Sequence, residues 1–298
     1  MHRVFVTGAT GFVGRAVIQS LRTEGHVVRC LVRRGSEEDL HGFAAIERVE
    51  GDILGPPEAL EGGMAGCDTV VHLVGIIREL PTRGVTFERL HHKGTANVLA
   101  AAARAGVRRY LHMSALGTRP GARSRYHQTK WAGEEAVRAS GLAWTIFRPS
   151  VIYGPGDGFV SLLAGMIRRL PVVPVIGDGS QRVQPVAVEH VAAGFARAVR
   201  LEATVKHTYD VAGPDAVTMR QMLDLIGTAL HRPIRTARVP FMLMRPVAQL
   251  MQGIPSFPLT HDQLLMLQED NTGNPTAFYT AFDIKPIPLA QGLSHMLS

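Results

Sequence analysis

The first half of the chain alternates short, β-rich apolar runs with longer stretches whose apolar residues recur at helical spacing. Six runs predict strands, at residues 3–8, 26–32, 45–51, 68–75, 108–115 and 143–150. The stretches between them predict helices near residues 12–24, 57–65, 86–105 and 126–140. Strands that alternate with crossover helices are typical of a parallel sheet covered by helices.

The pattern loosens after Pro149. Passages rich in proline and glycine separate the helices that we predict in VSLLAGMIRRL and VEHVAAGFARAVR, while HTYDVAGPD predicts a strand followed by a turn. The last third, from TMRQMLDLIGTAL onward, is predicted to be mainly helical.

The first predicted strand ends in TGATGFVG, where Gly8, Gly11 and Gly14 lead into the first predicted helix. Glycine lets the backbone turn tightly and approach a pyrophosphate, whose charge then meets the amides at the helix N-terminus. Because the glycines follow the first strand and open the first helix, this context favours a dinucleotide site over an ordinary glycine turn.

These features predict an α/β fold, a Rossmann-type doubly wound parallel sheet with a smaller, mainly helical C-terminal region. We assign residues 1–155 and 181–212 to a dinucleotide-binding domain. Residues 156–180 and 213–298 are assigned to a smaller substrate-side region, partly interleaved with the first domain.

The second predicted strand ends in LVRRG, at the place where an acidic residue normally binds the adenosine ribose of NAD. Arg33 and Arg34 stand there instead, and guanidiniums suit the 2′-phosphate of NADP through paired hydrogen bonds. Arg15, at the start of the first helix, is placed to assist. We therefore favour NADP(H) over NAD(H). Asp52, after the third strand, either bonds the adenine edge or caps its own loop.

Tyr126 and Lys130 are four residues apart in a predicted helix, so their side chains share one face. Lysine is rare here, with four lysines against 28 arginines. An ammonium beside a phenol stabilises the phenolate, so we expect Lys130 to lower the pKa of Tyr126 and make it a usable general acid/base. The same compact ammonium can donate to the hydroxyls of a nicotinamide ribose.

Composition places the chain among soluble globular proteins, with 46% hydrophobic and 19% charged residues among 298. No uninterrupted apolar run is long enough for a membrane span, and no secretory signal pattern is evident. Two cysteines in unrelated contexts fit reduced thiols, so we expect a cytoplasmic location. The 13 histidines show no pair or carboxylate cluster at ligand spacing, so we expect no metal site.

The formal net charge of +7 favours anionic partners, such as phosphorylated cofactors, acidic substrates or a lipid surface. Basic residues are scattered and only 6% of residues are aromatic, so we expect no nucleic-acid partner. The methionine-rich segment 239–259 has two interpretations. It packs the small C-terminal region, or it forms an apolar substrate mouth or membrane contact in which Arg238 and Arg245 meet lipid phosphate.

Five motifs together resemble the extended or atypical short-chain dehydrogenases/reductases: TGATGFVG, GDI, Tyr126-x-x-x-Lys130, RPSVIYGPGD and VEHVAAG. The resemblance implies that Ser114, after the fifth strand, orients a substrate oxygen that exchanges a proton with Tyr126 while hydride moves to or from nicotinamide. The cofactor-binding residues that we expect, besides Lys130, are Thr7, Gly8, Thr10, Gly11, Phe12, Val13, Gly14, Arg33, Arg34, Asp52, Ile53, Leu73, Val74, Gly75 and Pro149.

A closer resemblance is to bacterial relatives of the NADPH-binding accessory subunit of respiratory complex I, through VVHLVGIIRE and LTHDQLLMLQEDNT. It implies tight NADPH binding, with turnover absent in some members. Two positions depart from the extended family pattern. His91 or His92 occupies the region where an asparagine usually precedes GT, and Ala115 and Leu116 follow Ser114 where epimerases tend to have further hydroxyls.

Three interpretations follow. The first is an NADP(H)-dependent oxidoreductase that acts on a carbonyl or alcohol substrate by hydride transfer. The second is a non-catalytic NADPH-binding scaffold or sensor whose C-terminal surface meets a respiratory complex or, peripherally, the inner membrane face. The third is a sugar-nucleotide epimerase. No motif of the C-terminal region identifies the substrate or the oligomeric state.

Overall fold

A seven-stranded parallel sheet between two helical layers forms the centre of the computed structural model, which describes residues 1–36, 40, 42–43, 45–244, 246 and 259–298. The described strands, of which seven form this sheet and the others three two-stranded pairs, are β1 (Arg3–Thr7), β2 (Val27–Val32), β3 (Glu47–Glu50), β4 (Thr69–His72), β5 (Arg109–Met113), β6 (Ala143–Pro149), β7 (Ile152–Tyr153), β8 (Val173–Ile176), β9 (Arg182–Val183), β10 (Val186–Ala187), β11 (His207–Val211), β12 (Val217–Thr218) and β13 (Thr236–Val239). The described helices are α1 (Phe12–Thr23), α2 (Pro57–Met64), α3 (Gly94–Arg104), α4 (Arg125–Ala139), α5 (Phe159–Arg169), α6 (Val188–Ala198), α7 (Met219–Ala229), α8 (His261–Met266), α9 (Thr276–Ala281) and α10 (Leu289–Leu297).

The central sheet has the order β11-β6-β5-β4-β1-β2-β3, and each neighbouring pair is parallel. From β1 the chain builds outward through β2 and β3, then returns to β4 and builds in the other direction. Ligands of such sheets bind in the crevice at the carboxyl ends of the strands where the order reverses. The predicted doubly wound sheet is therefore confirmed, and its crevice lies between β1 and β4.

Alternate side chains along the strands pack against the two helical layers on opposite faces of the sheet. Val4 and Val6 of β1 pack into the cluster formed with α1 and α6, whereas Phe5 packs into the cluster formed with α2 and α3. All three side chains are fully buried. Because successive strand residues point to opposite faces, one short apolar strand anchors both layers.

The C-terminal region has a third apolar cluster, to which α5, α7 and α10 contribute. The helix α9 behaves differently, because Phe278 and the following Phe282 pack in the first cluster against Phe147 of β6. Residues that were assigned to the smaller region thus complete the core of the dinucleotide half, and the proposed domain division stays a prediction.

The stretch predicted as one helix over 86–105 contains a π-helical turn, Glu88–Lys93, that continues into α3. The hydroxyl of Thr95, at the start of α3, donates to the carbonyl oxygen of His91 in the π-helical turn at 2.7 Å. A threonine that bonds back to a carbonyl four residues earlier perturbs regular helix geometry.

The proposed surface segment falls largely outside the described residues, since Arg245 and residues 247–258 are not among them. Arg238 lies exposed in β13. No helix in the described part of the chain is both long and apolar enough to cross a bilayer.

Arg109 ties three elements together and provides a test of the fold. Its buried guanidinium donates to the carbonyl oxygens of Ala143 and Ala198 and to the hydroxyls of Thr145 and Thr204. We expect Arg109→Met to lower the free energy of unfolding by about 3 kcal/mol, because these buried acceptors would lose a charged donor.

Urea denaturation measures this change. The adjacent, exposed Arg108 is the matched control, and Arg108→Met is expected to stay within about 0.5 kcal/mol of the wild type. Equal losses in the two variants would contradict the assigned role of Arg109.

Candidate cofactor and active site

The glycine turn closes β1 against β4. Gly8 has a φ of +74°, and a Cβ there would lie 3.1 Å from backbone atoms of both Leu73 and Val74. A Cβ on Gly14 would overlap the carbonyl oxygen of Gly8. At Gly11 a Cβ would approach that same oxygen at 3.3 Å and otherwise face open space among the described residues. The turn is therefore packed on its inner side and open at Gly11, where a ligand can approach the backbone.

The N-terminus of α1 is available to an anion. Its N-cap, Gly11, supplies no side-chain acceptor, and the first turn, which begins with Phe12 and Val13, contains no acidic residue. The first N–H groups of a helix and its dipole favour negative charge. Arg15 folds back and donates from Nη1 to the carbonyl oxygen of Thr10 at 3.1 Å, which keeps a guanidinium beside the turn. This arrangement fits a pyrophosphate.

The end of β4 forms the other wall of the crevice. The N–H of Leu73 donates to the carbonyl oxygen of Thr7 at 3.1 Å, which extends the pairing of β1 and β4 up to the glycine turn. Leu73 is buried, Val74 half-buried and Gly75 exposed, so the chain passes from the core to the surface within three residues. At the end of β6, the buried Pro149 accepts from the N–H of Leu116 at 2.8 Å.

Arg33 and Arg34 follow β2 directly, and β2 pairs with β1, so both residues lie at the same sheet edge as the glycine turn. Both are exposed. Arg34 Nε lies 3.6 Å from the carboxylate of Glu50, and both side chains are mostly in water. Such a pair is weak and can exchange Glu50 for a phosphate at little cost.

Asp52 and Ile53 follow β3. Asp52 Oδ1 accepts from the N–H of Leu54 at 2.8 Å, so this aspartate does cap its own loop. The side chain of Ile53 is buried in the cluster with α2 and α3, and Asn97 Nδ2 donates to its carbonyl oxygen at 3.0 Å. These contacts fix the loop on the adenine side of the predicted site.

Lys130 is buried at the carboxyl ends of β4 and β5. Its Nζ donates to the carbonyl oxygen of Met113 at 3.0 Å, and a Cβ on Gly75 would lie 2.8 Å from it. Burial lowers the pKa of Lys130 to about 8, and the nearby Glu134 carboxylate opposes that shift. The predicted lysine therefore reaches the crevice, and it remains mainly protonated at neutral pH.

Tyr126 lies one turn before Lys130 at the start of α4, and its half-buried ring packs edge-on against His91 with centroids 5.3 Å apart. Burial, and then the nearby Asp262 carboxylate, raise the pKa of Tyr126 to about 12. The expectation that Lys130 lowers this pKa is wrong. Removal of the phenol from water and the Asp262 charge both favour its protonated form, and the ammonium does not overcome them.

Ser114 follows β5, as predicted, but its hydroxyl already has a partner. The buried Oγ donates to Oε1 of Glu134 at 2.6 Å. Glu134 is fully buried on α4 and also accepts from Arg138 and, through two bonds, from Arg148 of β6. Its negative charge is thus matched by two guanidiniums as well as by Ser114.

Buried histidines connect the glycine turn to α3. His72 Nδ1 lies 2.7 Å from Oγ1 of Thr7, and its Nε2 lies 3.1 Å from Oγ1 of Thr95. Because the Thr95 hydroxyl donates its proton to the carbonyl oxygen of His91, we assign the His72 proton to Nε2 and let Thr7 donate to Nδ1. Thr7 therefore contributes to this network through its side chain. Burial lowers the pKa of His72 to about 3.

His91 continues the connection to α4. Its Nε2 accepts from the N–H of Ile76 at 3.1 Å, so its proton lies on Nδ1, which is 3.0 Å from Oγ1 of Thr129. The Thr129 hydroxyl in turn donates to the carbonyl oxygens of Arg125 and Tyr126. Burial, with the nearby Lys130 ammonium, lowers the pKa of His91 to about 2, so this ring is neutral.

Residues 4–212 match the sequence profile described as the NAD dependent epimerase/dehydratase family. The chain belongs to this family. The match confirms the resemblance to short-chain dehydrogenases/reductases of the extended type and their NAD(P)-binding fold.

Two relatives illustrate the range within this epimerase/dehydratase family. A Caulobacter vibrioides protein named ceramide reductase is 40% identical over 190 residues, which cover 64% of this chain and 58% of that protein. An Arabidopsis thaliana protein, NADH dehydrogenase (ubiquinone) 1 alpha subcomplex subunit 9, mitochondrial, is 30% identical over 277 residues, which cover 89% of this chain and 68% of that protein. A solved UDP-glucose 4-epimerase from Thermotoga maritima, with UDP-glucose, has the same fold, with a TM-score of 0.77 at 19% identity over 99% of this chain and 97% of that one.

Sequence reasoning missed the partners that organise this epimerase/dehydratase site. Glu134 and Thr129 sit in ordinary helical patterns and carry no motif signal, and Thr95 was noticed only as part of the GT pair. His91 was noticed as a departure from the family pattern, and the structure places it between the β4 loop and α4. His127, the neighbour of Tyr126 in the chain, is buried, with Nδ1 2.9 Å from Oγ of Ser124.

The neutral histidines make folding stability depend on pH. In the folded protein His91 has a pKa of about 2, against 6.5 for an unperturbed histidine. The stability that this depressed pKa provides is present above pH 6.5 and is lost as the pH falls towards 2, because only the unfolded chain then takes up the proton. Between pH 7 and 5 we expect His91 to account for a loss of about 2 kcal/mol.

The measurement is the free energy of unfolding at several pH values for wild type and His91→Gln. Between pH 7 and 5, the free energy of unfolding of His91→Gln should fall by about 2 kcal/mol less than that of the wild type, whatever the absolute stability of the variant. His92→Gln is the matched control, since the adjacent His92 side chain is 43% exposed. If His91→Gln and wild type show the same slope, His91 is not neutral in the folded protein.

Proposed function

We propose that this protein is an NADP(H)-dependent oxidoreductase that exchanges hydride with a carbonyl or alcohol substrate. The observation that carries the proposal is that Lys130 of α4 reaches Gly75 at the crevice, while Tyr126, one turn earlier, packs against His91, whose Nε2 would lie 3.7 Å from a Cβ on the same glycine. Family membership and relatives that are named as reductases support the same class of reaction.

The residues of the crevice fit a dinucleotide. Its pyrophosphate would lie against Gly11 and the first amides of α1, and its adenosine 2′-phosphate against Arg33 and Arg34. Lys130 would hold the nicotinamide ribose, with Pro149 near the ring. Gly75 supports this assignment, because its lack of a side chain leaves the Lys130 ammonium room at the crevice.

When bound, the nicotinamide cofactor supplies or accepts the hydride. In carbonyl reduction Tyr126 donates its phenolic proton to the substrate oxygen. A pKa of about 12 keeps this phenol protonated at neutral pH, which is the form that would donate, and makes it a weaker acid than an unperturbed phenol. Ser114 would orient the substrate oxygen after its hydroxyl rotates away from Glu134, which keeps Arg138 and Arg148 as partners.

Tyr126→Phe tests catalysis directly. We expect a fall of about 100-fold or more in kcat for NADPH-dependent reduction, because the variant keeps the ring and loses the proton donor. NADPH oxidation is followed with a panel of carbonyl compounds that includes long-chain lipids and quinones, and NADPH affinity is measured beside it. Turnover that persists in Tyr126→Phe would refute the assigned role.

A second candidate is a non-catalytic NADPH-binding scaffold or sensor. It is favoured by the engaged Ser114 hydroxyl, and by the likeness to a protein named as a subunit of NADH dehydrogenase. In this case the C-terminal surface would meet a respiratory complex or, peripherally, the inner membrane face. NADPH binding without turnover on any substrate, and partner association that is unchanged in Tyr126→Phe, would support it. A sugar-nucleotide epimerase would instead be stabilised thermally by a UDP-sugar.

The choice of NADP(H) makes a separate prediction. Arg33→Ala should weaken NADPH binding about 10- to 100-fold, because a charged hydrogen bond to the 2′-phosphate is lost, and should change NADH binding less than about twofold. Both affinities are measured by titration calorimetry. Arg108→Ala, at the amino end of β5 and hence at the opposite sheet edge, is the control. Equal losses for the two nucleotides in Arg33→Ala would refute the NADP assignment.

A further inference from the structure

The C-terminal stretch 259–274, here named the strap, is fastened to the loops around the crevice. Glu269 pairs with Arg119 of the loop after β5 at 2.7 Å. Oδ1 of Asn271 accepts from the hydroxyl of Ser150 at 2.6 Å, and its Nδ2 donates to the carbonyl oxygen of Leu116 at 3.3 Å. The strap therefore touches the loops that follow both β5 and β6.

Asp262 of the strap binds the helix that carries Tyr126. Its Oδ1 accepts from the N–H of Arg125 at 2.8 Å, and its Oδ2 accepts from the N–H of Tyr126 itself at 3.0 Å. A carboxylate at a helix N-terminus is favoured by the free N–H groups and by the helix dipole. The contact joins residues 136 positions apart.

The carboxylate is itself held in place. Asp262 lies in the first turn of α8, where the Thr260 side chain accepts from the N–H of Gln263 and the Gln263 side chain accepts from the N–H of Thr260. This reciprocal capping box orders the helix start. Asp262 therefore approaches Tyr126 from a fixed element.

Other charged or titratable groups also surround the phenol. Lys130 lies on the same face of α4, and Arg125 and His127 are its neighbours in the chain, with Arg125 Nη1 3.8 Å from the carboxylate of Glu79. The neutral His91 contacts the ring from the π-helical turn. Among these groups, Asp262 combines a negative charge with a direct bond to the backbone of Tyr126.

We propose that Asp262 is a positioning residue for the reaction, which fixes the start of α4 and holds a negative charge near the Tyr126 phenol when the strap is docked. The inference rests on the proposed role of Tyr126. Its function would be to hold the phenol in place beside the substrate oxygen. The test below measures the titration of the Tyr126 phenol and needs neither substrate nor cofactor. Its outcome is therefore independent of turnover.

The test is a titration of residue 126 by ¹⁹F NMR, with 3-fluorotyrosine incorporated at that single position. Fluorination makes a phenol more acidic and brings the titration towards a pH range in which the protein stays folded, as checked by circular dichroism at each pH. In Asp262→Asn we expect the midpoint to fall by up to about one pH unit, because the negative charge is removed.

Two controls separate charge from structure. Ser124→Ala removes the other cap of α4, the acceptor of the N–H of His127, without changing any charge. Glu269→Gln removes a strap carboxylate that pairs with Arg119. Both should leave the midpoint within about 0.2 units of the wild type. An unchanged midpoint in Asp262→Asn, or an equal fall in Ser124→Ala, would overturn the proposal. Loss of turnover in Tyr126→Phe tests the proposed function separately.

Discussion

The buried ammonium of Lys130 is the constraint on which the rest of the site depends. Removing such a charge from water costs several kcal/mol unless hydrogen bonds and opposite charge compensate. The carbonyl oxygen of Met113 and the carboxylate of Glu134, one turn further along α4, provide that compensation. Gly75 provides the space. The end of β4, the end of β5 and one face of α4 must therefore keep their relative positions for the lysine to remain charged.

The neutral histidines also help to keep the buried Lys130 ammonium charged, because they add no positive charge near it. His72 and His91 each use both ring nitrogens, and through Thr95 and Thr129 they link the glycine turn to the first turn of α4. A second positive charge in this region would repel Lys130, and the depressed pKa values of both rings avoid that conflict. The region that would hold the phosphates and the region that would hold the reacting groups are thus built as one network.

Local patterns predicted the fold well because strands, helices and the glycine turn each depend on residues close together in sequence. The pair Tyr126 and Lys130 was found for the same reason, since one helical turn relates them. Two contacts that decide the chemistry of the site are distant in sequence: Ser114 is 20 positions from Glu134, and Tyr126 is 136 from Asp262. Spacing rules do not report such contacts. The pKa of Tyr126 was therefore predicted in the wrong direction. Lys130 is close to Tyr126 in sequence, whereas the burial of the phenol and its proximity to Asp262 arise only in the folded chain.

The electrostatics of the site also set the protonation state of the two groups in the proposed reaction. With a pKa of about 12, Tyr126 holds its proton throughout the neutral range. In the proposed reduction this proton would pass to the alkoxide that forms on the carbonyl substrate, which is a stronger base than phenolate. Lys130, with a lower pKa of about 8, is still mainly protonated beside it. Both groups therefore hold their protons at neutral pH, and in the proposed function Tyr126 would act as the proton donor while Lys130 supplies the positive charge.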